Sequence, residues 1–426
     1  VRQSVAVANA AGLVVGYALD SLLGDPRRWH PVAGFGRAAG ALEQRVYRPD
    51  RTAGVVFTAL AVGVPVLVGA AATVATRHRP VGRAVLMAAA TWTVLGGRTL
   101  RHESKVMGRA LRGGDLPTAR RRLGHLCGRD PSTLDEAELA RATVESVAEN
   151  TSDAVVAPLL WGAVAGLPGL LGYRAANTLD AMVGHRSPRY ARFGTPAARL
   201  DDVLNIVPAR LTGLLTIAVA PTAHGDRGRA WRVWLRDRND HPSPNAGQCE
   251  AAMAGALGVR LGGRNIYFGR SEVRPYLGDG PRPEARHLKR AARISGAVGL
   301  AALGVAAAYP VTVGRLAGAV ARAGWRDSRL TATLGNTAGS AVRRPPPPTP
   351  VLERCKFREC VVMEHRKATH SLNLRGVAGW RGLRGVVGWG GVVGIVTCRT
   401  MSDSAWLAAP GADGFVGRAV WGGGAR

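Results

Sequence analysis

Lysine is nearly absent from this 426-residue chain, occurring only at Lys105, Lys289, Lys356 and Lys367. The formal net charge of +28 is therefore carried by arginine, spread through every polar connection. Aromatic residues make up 5% of the chain and do not interleave with a basic stripe. A nucleic-acid surface needs a localised cationic footprint. The charge pattern thus argues against nucleic acid as a partner and reads instead as genome composition and positive-inside loops of a membrane protein.

Other signatures are missing too. Cys127, Cys249, Cys355, Cys360 and Cys398 form no CxxC pair, and none sits near histidine at zinc spacing, which excludes a disulfide framework or zinc cluster as the organising feature. No P-loop occurs and no GxGxxG precedes a helix, so any nucleotide is expected to be held in a non-standard way. The alternating strands of a membrane barrel are not seen. The N-terminus shows no basic n-region or small-residue cleavage site; Ser4 to Leu23 reads as a first helix.

Long apolar runs are what the chain does have. Ala53 to Thr76 is free of charge and lies between Arg51 and Arg77. It exceeds the roughly 20 residues needed to cross a bilayer core. Ile294 to Gly314 and Ala154 to Tyr173 are further blocks, and Ala84 to Gly97 and Val203 to Ala223 are shorter or interrupted. The expected fold is all-α: a multi-pass helical membrane protein with roughly four to six spans, long helical or loop polar segments, and a low-complexity C-terminal tail. Topology poses one conflict. The arginine-rich connections on either side of Ala154 to Tyr173 both prefer the inner face. Pro158, Pro168 and several glycines favour a broken or re-entrant segment there over a single crossing.

The densest chemistry is Glu145-Ser-Val-Ala-Glu149-Asn150-Thr-Ser-Asp153. Glu145, Glu149 and Asp153 fall at i, i+4 and i+8, on one face of a continuing helix. This is either a solvated acidic face or a magnesium site, because hard oxygen ligands suit that ion. The run enters an apolar block, where bare charge is costly, and this favours a site. An N-T-x-D pattern at Asn150 to Asp153 recurs at Asn177 to Asp180, bracketing the same block. His185, Arg186 and Arg189 then follow in a Gly/Ser/Pro turn that reads as a phosphate-binding loop or an ordinary basic interfacial one. Asp201-Asp202 are metal ligands or partners for Arg199 and Arg210. A turn at His241-Pro-Ser-Pro-Asn245 opens an alanine-rich helix, whose N-terminus can hold an anion, and a glycine-punctuated strand or loop follows at Gly258 to Gly269. Near the N-terminus, Asp20, Asp25 and His30 are titratable residues in a turn that also suits a membrane-interface cap anchored by Trp29.

Taken together, five segments resemble the CobD/CbiB family of cobalamin-biosynthesis proteins, the adenosylcobinamide-phosphate synthases. They are Leu23-Gly-Asp-Pro26 with His30-Pro31, Gly128-Arg-Asp130, Glu145 to Asp153, Tyr173 to Asp180 and His241 to Gly247, in the family's order over roughly residues 10 to 320. The resemblance implies a multi-pass protein of the cell membrane that is a carbon-nitrogen ligase. Such a ligase joins aminopropanol, or its O-phosphate, to a propionate carboxyl of adenosylcobyric acid. ATP hydrolysis drives the step through an acyl phosphate or acyl adenylate, with magnesium. On that basis Glu145, Glu149, Asp153 and Asp180 are expected to hold Mg-ATP, with Asn150 and Asn177 orienting them. His185, Arg186, Arg189 and Asn245 are expected at phosphate, and His30, His241 and Asp25 as catalytic, proton-handling groups. The corrinoid, the amine and the lipid bilayer are the expected partners. Oligomeric state carries no signal.

The matching domain is expected over 1–340. Residues 341–426 read as a Pro-rich linker, Arg343-Arg-Pro-Pro-Pro-Pro348, and a Gly/Arg/Trp tail, disordered or a frameshift product. Two other readings stay open on sequence: a membrane transporter of a corrinoid or phosphorylated solute, and a magnesium-dependent intramembrane transferase of prenyl-diphosphate type.

Overall fold

The structure, a computed structural model, describes residues 2–26, 30–185, 187–267, 270–309, 312, 386–389 and 392–395. The chain divides into two compact units, Val1–Val342 and Arg343–Arg426. In the second, the described part is an antiparallel hairpin of Val386–Trp389 with Val392–Ile395; the rest of the tail, with its linker, lies outside the described residues.

The first unit is helical. In order come α1 (Arg2–Leu23), α2 (Pro31–Val46), α3 (Arg51–Ala75), α4 (Pro80–Val94), α5 (Gly97–Arg112), α6 (Leu116–Leu123), α7 (Glu136–Thr151), α8 (Ala157–Val183), α9 (Thr195–Val219), α10 (Arg227–Asp237) and α11 (Ala246–Leu257). An antiparallel hairpin, β1 (Leu261–Tyr267) and β2 (Arg270–Leu277), precedes the last described helix, α12 (Ala285–Tyr309). The glycine-punctuated segment after Gly258 is thus a strand, with positive φ at Gly262 and Gly263 where the register shifts.

Among the described residues, five helical stretches are long and apolar enough to cross a membrane: Ser4–Leu23, Arg51–Ala75, Glu136–Val183, Thr195–Ala223 and Ala285–Tyr309. Their outward side chains are apolar; Val64, Leu67 and Val68 of α3 are each more than half exposed. Such a surface belongs against lipid, so this is a multi-pass helical membrane protein. The block after the Arg77 to Pro80 turn is too short to span alone. It packs as α4 against α1, where Gly12 and Gly16 let the backbones close: a Cβ on Gly12 would stand 2.5 Å from the Met87 Cβ. Paired small residues four apart serve this purpose in membrane helices.

The Ala154 to Tyr173 block does not cross once. Gly166 takes φ 64, ψ −147, a conformation open essentially to glycine alone. The chain folds back there. A Cβ on Gly169 would lie 2.4 Å from the Trp161 carbonyl oxygen, and one on Gly162 would lie 3.7 Å from the Leu170 Cβ. The two ends therefore return to one level, which resolves the topological conflict in favour of a re-entrant helical hairpin. Its inner limb carries a π-helical turn at Ser152–Val156, an irregularity that often accompanies function. α3 seats the turn, with the Gly69 backbone against Leu167 and Pro168. Leu13, Met87, Leu159 and Leu170 form the core around this hairpin, and Phe57, Leu179, Val183 and Phe193 form a smaller cluster beside it.

Candidate active site

Folding the hairpin back converts two distant N-T-x-D motifs into one site. The π turn delivers Asp153, and α8 returns Asn177 and Asp180 beside it. α9 packs on the same limb and adds Asp201, Asp202 and Asn205. Apart from Asn177, which stands behind the wall, these residues line a cavity of about 80 Å³ together with Glu149 of α7 and with Ser243, Asn245 and Cys249 at the start of α11. Glu149 is exposed, and it lines this crevice.

Amide side chains hold the carboxylates in place. Asn177 Nδ2 reaches Asp153 Oδ2 at 3.4 Å and Asp201 Oδ1 at 3.3 Å, long contacts that bridge the two acids. Asn205 Nδ2 donates to Asp201 Oδ2 at 2.9 Å, and the Tyr173 hydroxyl donates to Asn205 Oδ1 at 2.9 Å. Asn245 Nδ2 donates to the Asp202 carbonyl at 2.8 Å, while its Oδ1 is buried without a partner. Among the described residues, no ion pair neutralises Glu149, Asp153, Asp180, Asp201 or Asp202. Nor do three or more His, Cys, Asp or Glu side chains close into a ready-made metal cage.

The other residues singled out from sequence divide sharply. Glu145 turns away from the cavity. Its carboxylate accepts from Arg129 Nη2 at 2.8 Å, from Arg141 Nη1 at 3.1 Å and from the Gly262 N–H at 2.8 Å. Arg141 also donates to Asn265 Oδ1 and to the Arg264 carbonyl. The i, i+4 pattern put Glu145 on the acidic face, but this network makes it the clasp between α7 and β1. Asn150 also faces elsewhere, donating to the Ser146 carbonyl and Oγ at 2.9 and 3.0 Å. Arg189 is bound to Glu43 at 2.9 Å and lies 4.1 Å over the Tyr47 ring. Its guanidinium is engaged in joining the loop to α2 instead of standing open for phosphate. His185 packs edge-on against Tyr190. Arg186 lies outside the described residues, as does Trp29.

His30 caps α2, its Nδ1 accepting from the Val32 N–H at 3.2 Å, and burial holds its pKa below the ordinary value. His241 is buried. Its Nδ1 accepts from the Ser243 N–H at 3.0 Å, and its Nε2 stands 3.2 Å from Arg274 Nη1 and 4.0 Å from Glu250 Oε1. Burial, then Arg274, lowers its pKa to about 4. Burial pushes the Glu250 carboxyl well up, with Glu145 and Glu149 adding to it. Burial thus disfavours charge on both partners. Nothing in the alanine-rich run around Glu250 marked it as special; only packing does. Asp201 and Asp202, readable from sequence as partners for Arg199 and Arg210, instead face the cavity.

A re-entrant hairpin that brings carboxylates from three helices to a polar crevice defines a polytopic membrane protein with a built, charged site. The family model described as CobD/Cbib protein matches residues 13–295, and the chain belongs to that family of cobalamin-biosynthesis proteins. It is 51% identical over 306 residues to the cobalamin biosynthesis protein CobD of Mycobacterium tuberculosis (strain ATCC 25618 / H37Rv), covering 71% of this chain and 96% of that one. To the CobD of Geobacter metallireducens it is 49% identical over 272 residues, with 62% and 85% covered. To that of Chromobacterium violaceum it is 43% identical over 291 residues, with 67% and 92% covered. No solved structure matches.

Proposed function

We propose that this chain is a carbon-nitrogen ligase of the cell membrane. It joins the amine of aminopropanol, or of its O-phosphate, to a propionate carboxyl of adenosylcobyric acid, giving adenosylcobinamide or its phosphate at the expense of ATP. One observation carries the reading: five carboxylates and the unpartnered Asn245 Oδ1 converge on a single cavity without an ion pair among the described residues. Clustered like charges in a low-dielectric setting are stable only if neutralised.

Magnesium fits that donor set. It keeps several waters and binds through a few carboxylates plus substrate phosphates, so no closed cage is required. Glu149, Asp153, Asp180, Asp201 and Asp202 are the residues proposed to hold it, with Glu145 left out. When bound it would neutralise charge on transferring phosphate, which a carboxylate needs before an amine can displace oxygen from it. Asn177, Asn205 and Asn245 orient the acids. His241, two residues from the cavity wall, is the proposed proton carrier; with a pKa of about 4 it is a weak base that would relay the proton released when the amine attacks, not retain it.

The test is incubation of purified full-length protein, in nanodiscs, with adenosylcobyric acid, aminopropanol phosphate and Mg-ATP. A new corrinoid amide is expected. Re-entrant hairpins also build the midplane sites of transporters; corrinoid uptake into vesicles without conversion supports that reading and overturns the ligase.

A further inference from the structure

A second cavity lies on the opposite face of the same π turn. Asp153 lines the acidic crevice, and its neighbour Ala154 lines this one. Likewise Glu149 faces the first and Asn150 the second. The second cavity is about 130 Å³ and is walled by Asp25 and by residues of α5 and the α6–α7 connection.

Its charge is asymmetric. Glu103 is already neutralised by Arg122 at 2.9 Å, with His125 at 3.7 Å. Asp25 has no such close partner: its Oδ1 is buried with no hydrogen-bond partner, no ion pair among the described residues includes it, and Arg174 acts on it only at longer range. Asp25 is also held firmly. Gly24 has φ +72, its carbonyl accepts from Trp92 Nε1 at 2.9 Å, and Arg98 donates to the Ser21 and Leu22 carbonyls at 2.8 and 2.6 Å. A rigid buried carboxylate oxygen left unsatisfied is expensive unless a donor arrives. Thr99 lines the same wall, and Leu100 and Leu126 supply an apolar side. With Glu103 taken by Arg122, one carboxylate is left to meet a cation, which favours a singly charged one over a divalent metal. A primary ammonium on a short carbon chain that also carries a hydroxyl suits all three features.

We infer that this cavity binds the small amine substrate as its ammonium form, with Asp25 as counter-ion. The inference rests on the ligase reading for the amine's identity and on the cavity for its place. The volume admits a molecule of a few heavy atoms and excludes both nucleotide and corrinoid. A single helical turn then separates amine from phosphate chemistry.

The experiment is calorimetric titration of the full-length protein in nanodiscs with 1-amino-2-propanol and with propane-1,2-diol, its uncharged analogue. Wild type is expected to bind the amine at least ~10-fold more tightly than the diol, the scale of one charged hydrogen bond. Asp25→Asn should erase that preference, and Ala154→Val, which narrows the cavity without touching its charge, should weaken both ligands. In turnover, Asp25→Asn should raise KM for the amine and leave KM for the corrinoid unchanged. If Asp25→Asn keeps the wild-type preference, or if Ala154→Val binds the amine normally, the site is wrong. Asp25-dependent amine binding without any amide product leaves the site standing and removes the ligase. Amide formation with an unchanged amine KM in Asp25→Asn does the reverse.

Discussion

Asn177 Nδ2 lies 3.4 Å from Asp153 Oδ2 although 24 residues separate them. On one straight helix they would stand about 36 Å apart. The contact exists because the chain reverses at Gly166, and the acidic crevice is built on that reversal.

Gly166→Ala should therefore damage both stability and chemistry. A side chain at φ 64, ψ −147 costs about 1–3 kcal/mol. Thermal unfolding in detergent should show a lowered midpoint, and the remaining folded fraction should turn over more slowly. An unchanged midpoint would mean that the reversal tolerates a Cβ.

Neutralising the crevice should separate stability from activity. Asp153→Asn and Asp201→Asn each replace one of five crowded carboxyl groups by a neutral amide, so the apo protein should unfold at the same temperature or a higher one. Amide formation should fall about 100-fold or more, as when a group that stabilises transition-state charge is lost. Loss of stability with normal turnover would remove these residues from the site.

Glu145 should behave in the opposite way. Its partners Arg129 and Arg141 are 4% and 8% exposed, and Glu145→Ala removes the carboxylate that both guanidiniums share in the interior. Breaking a buried pair from one side costs about 3–5 kcal/mol. The variant should be markedly less stable or poorly inserted, whereas Glu149→Gln should remain stable and inactive. Comparing unfolding midpoints with the activity of the folded fraction distinguishes the two roles.

His241 sets an acid limit on stability. Its folded pKa of about 4 lies below the 6.5 of an unfolded histidine, so the unfolded chain binds the extra proton between those values. His241 thus contributes fully above pH 6.5, and stability falls as pH drops from 6.5 toward 4. His241→Gln should flatten that part of the stability–pH curve. A slope identical to wild type between pH 6.5 and 4 would show that other groups set it.

Much of the site was legible as composition. Asp153, Asp180 and Asn177 announce themselves through a repeated short polar motif at the ends of an apolar block, and Asn245 through a Pro-rich turn; all four meet in the fold at the crevice or beside it. Glu145 and Arg189 carry equally strong local signals, but tertiary partners engage them. Periodicity says which face a carboxylate is on, not whether an arginine from another segment already occupies that face. Glu250 carries no local signal, since its significance lies in being buried beside other polar groups.

By itself the sequence determined the membrane-spanning helices, because apolar length alone decides whether a segment can cross lipid, and it determined the family, through motifs kept in order. It also marked Ala154 to Tyr173 as irregular, from its prolines and glycines. Only the tertiary structure decided that this block is a hairpin and that Asp201 and Asp202 complete its acidic end. It alone showed Asp25 facing a second cavity behind the same turn. Those facts depend on contacts between residues far apart in the chain, and such contacts are fixed by packing, not by local spacing.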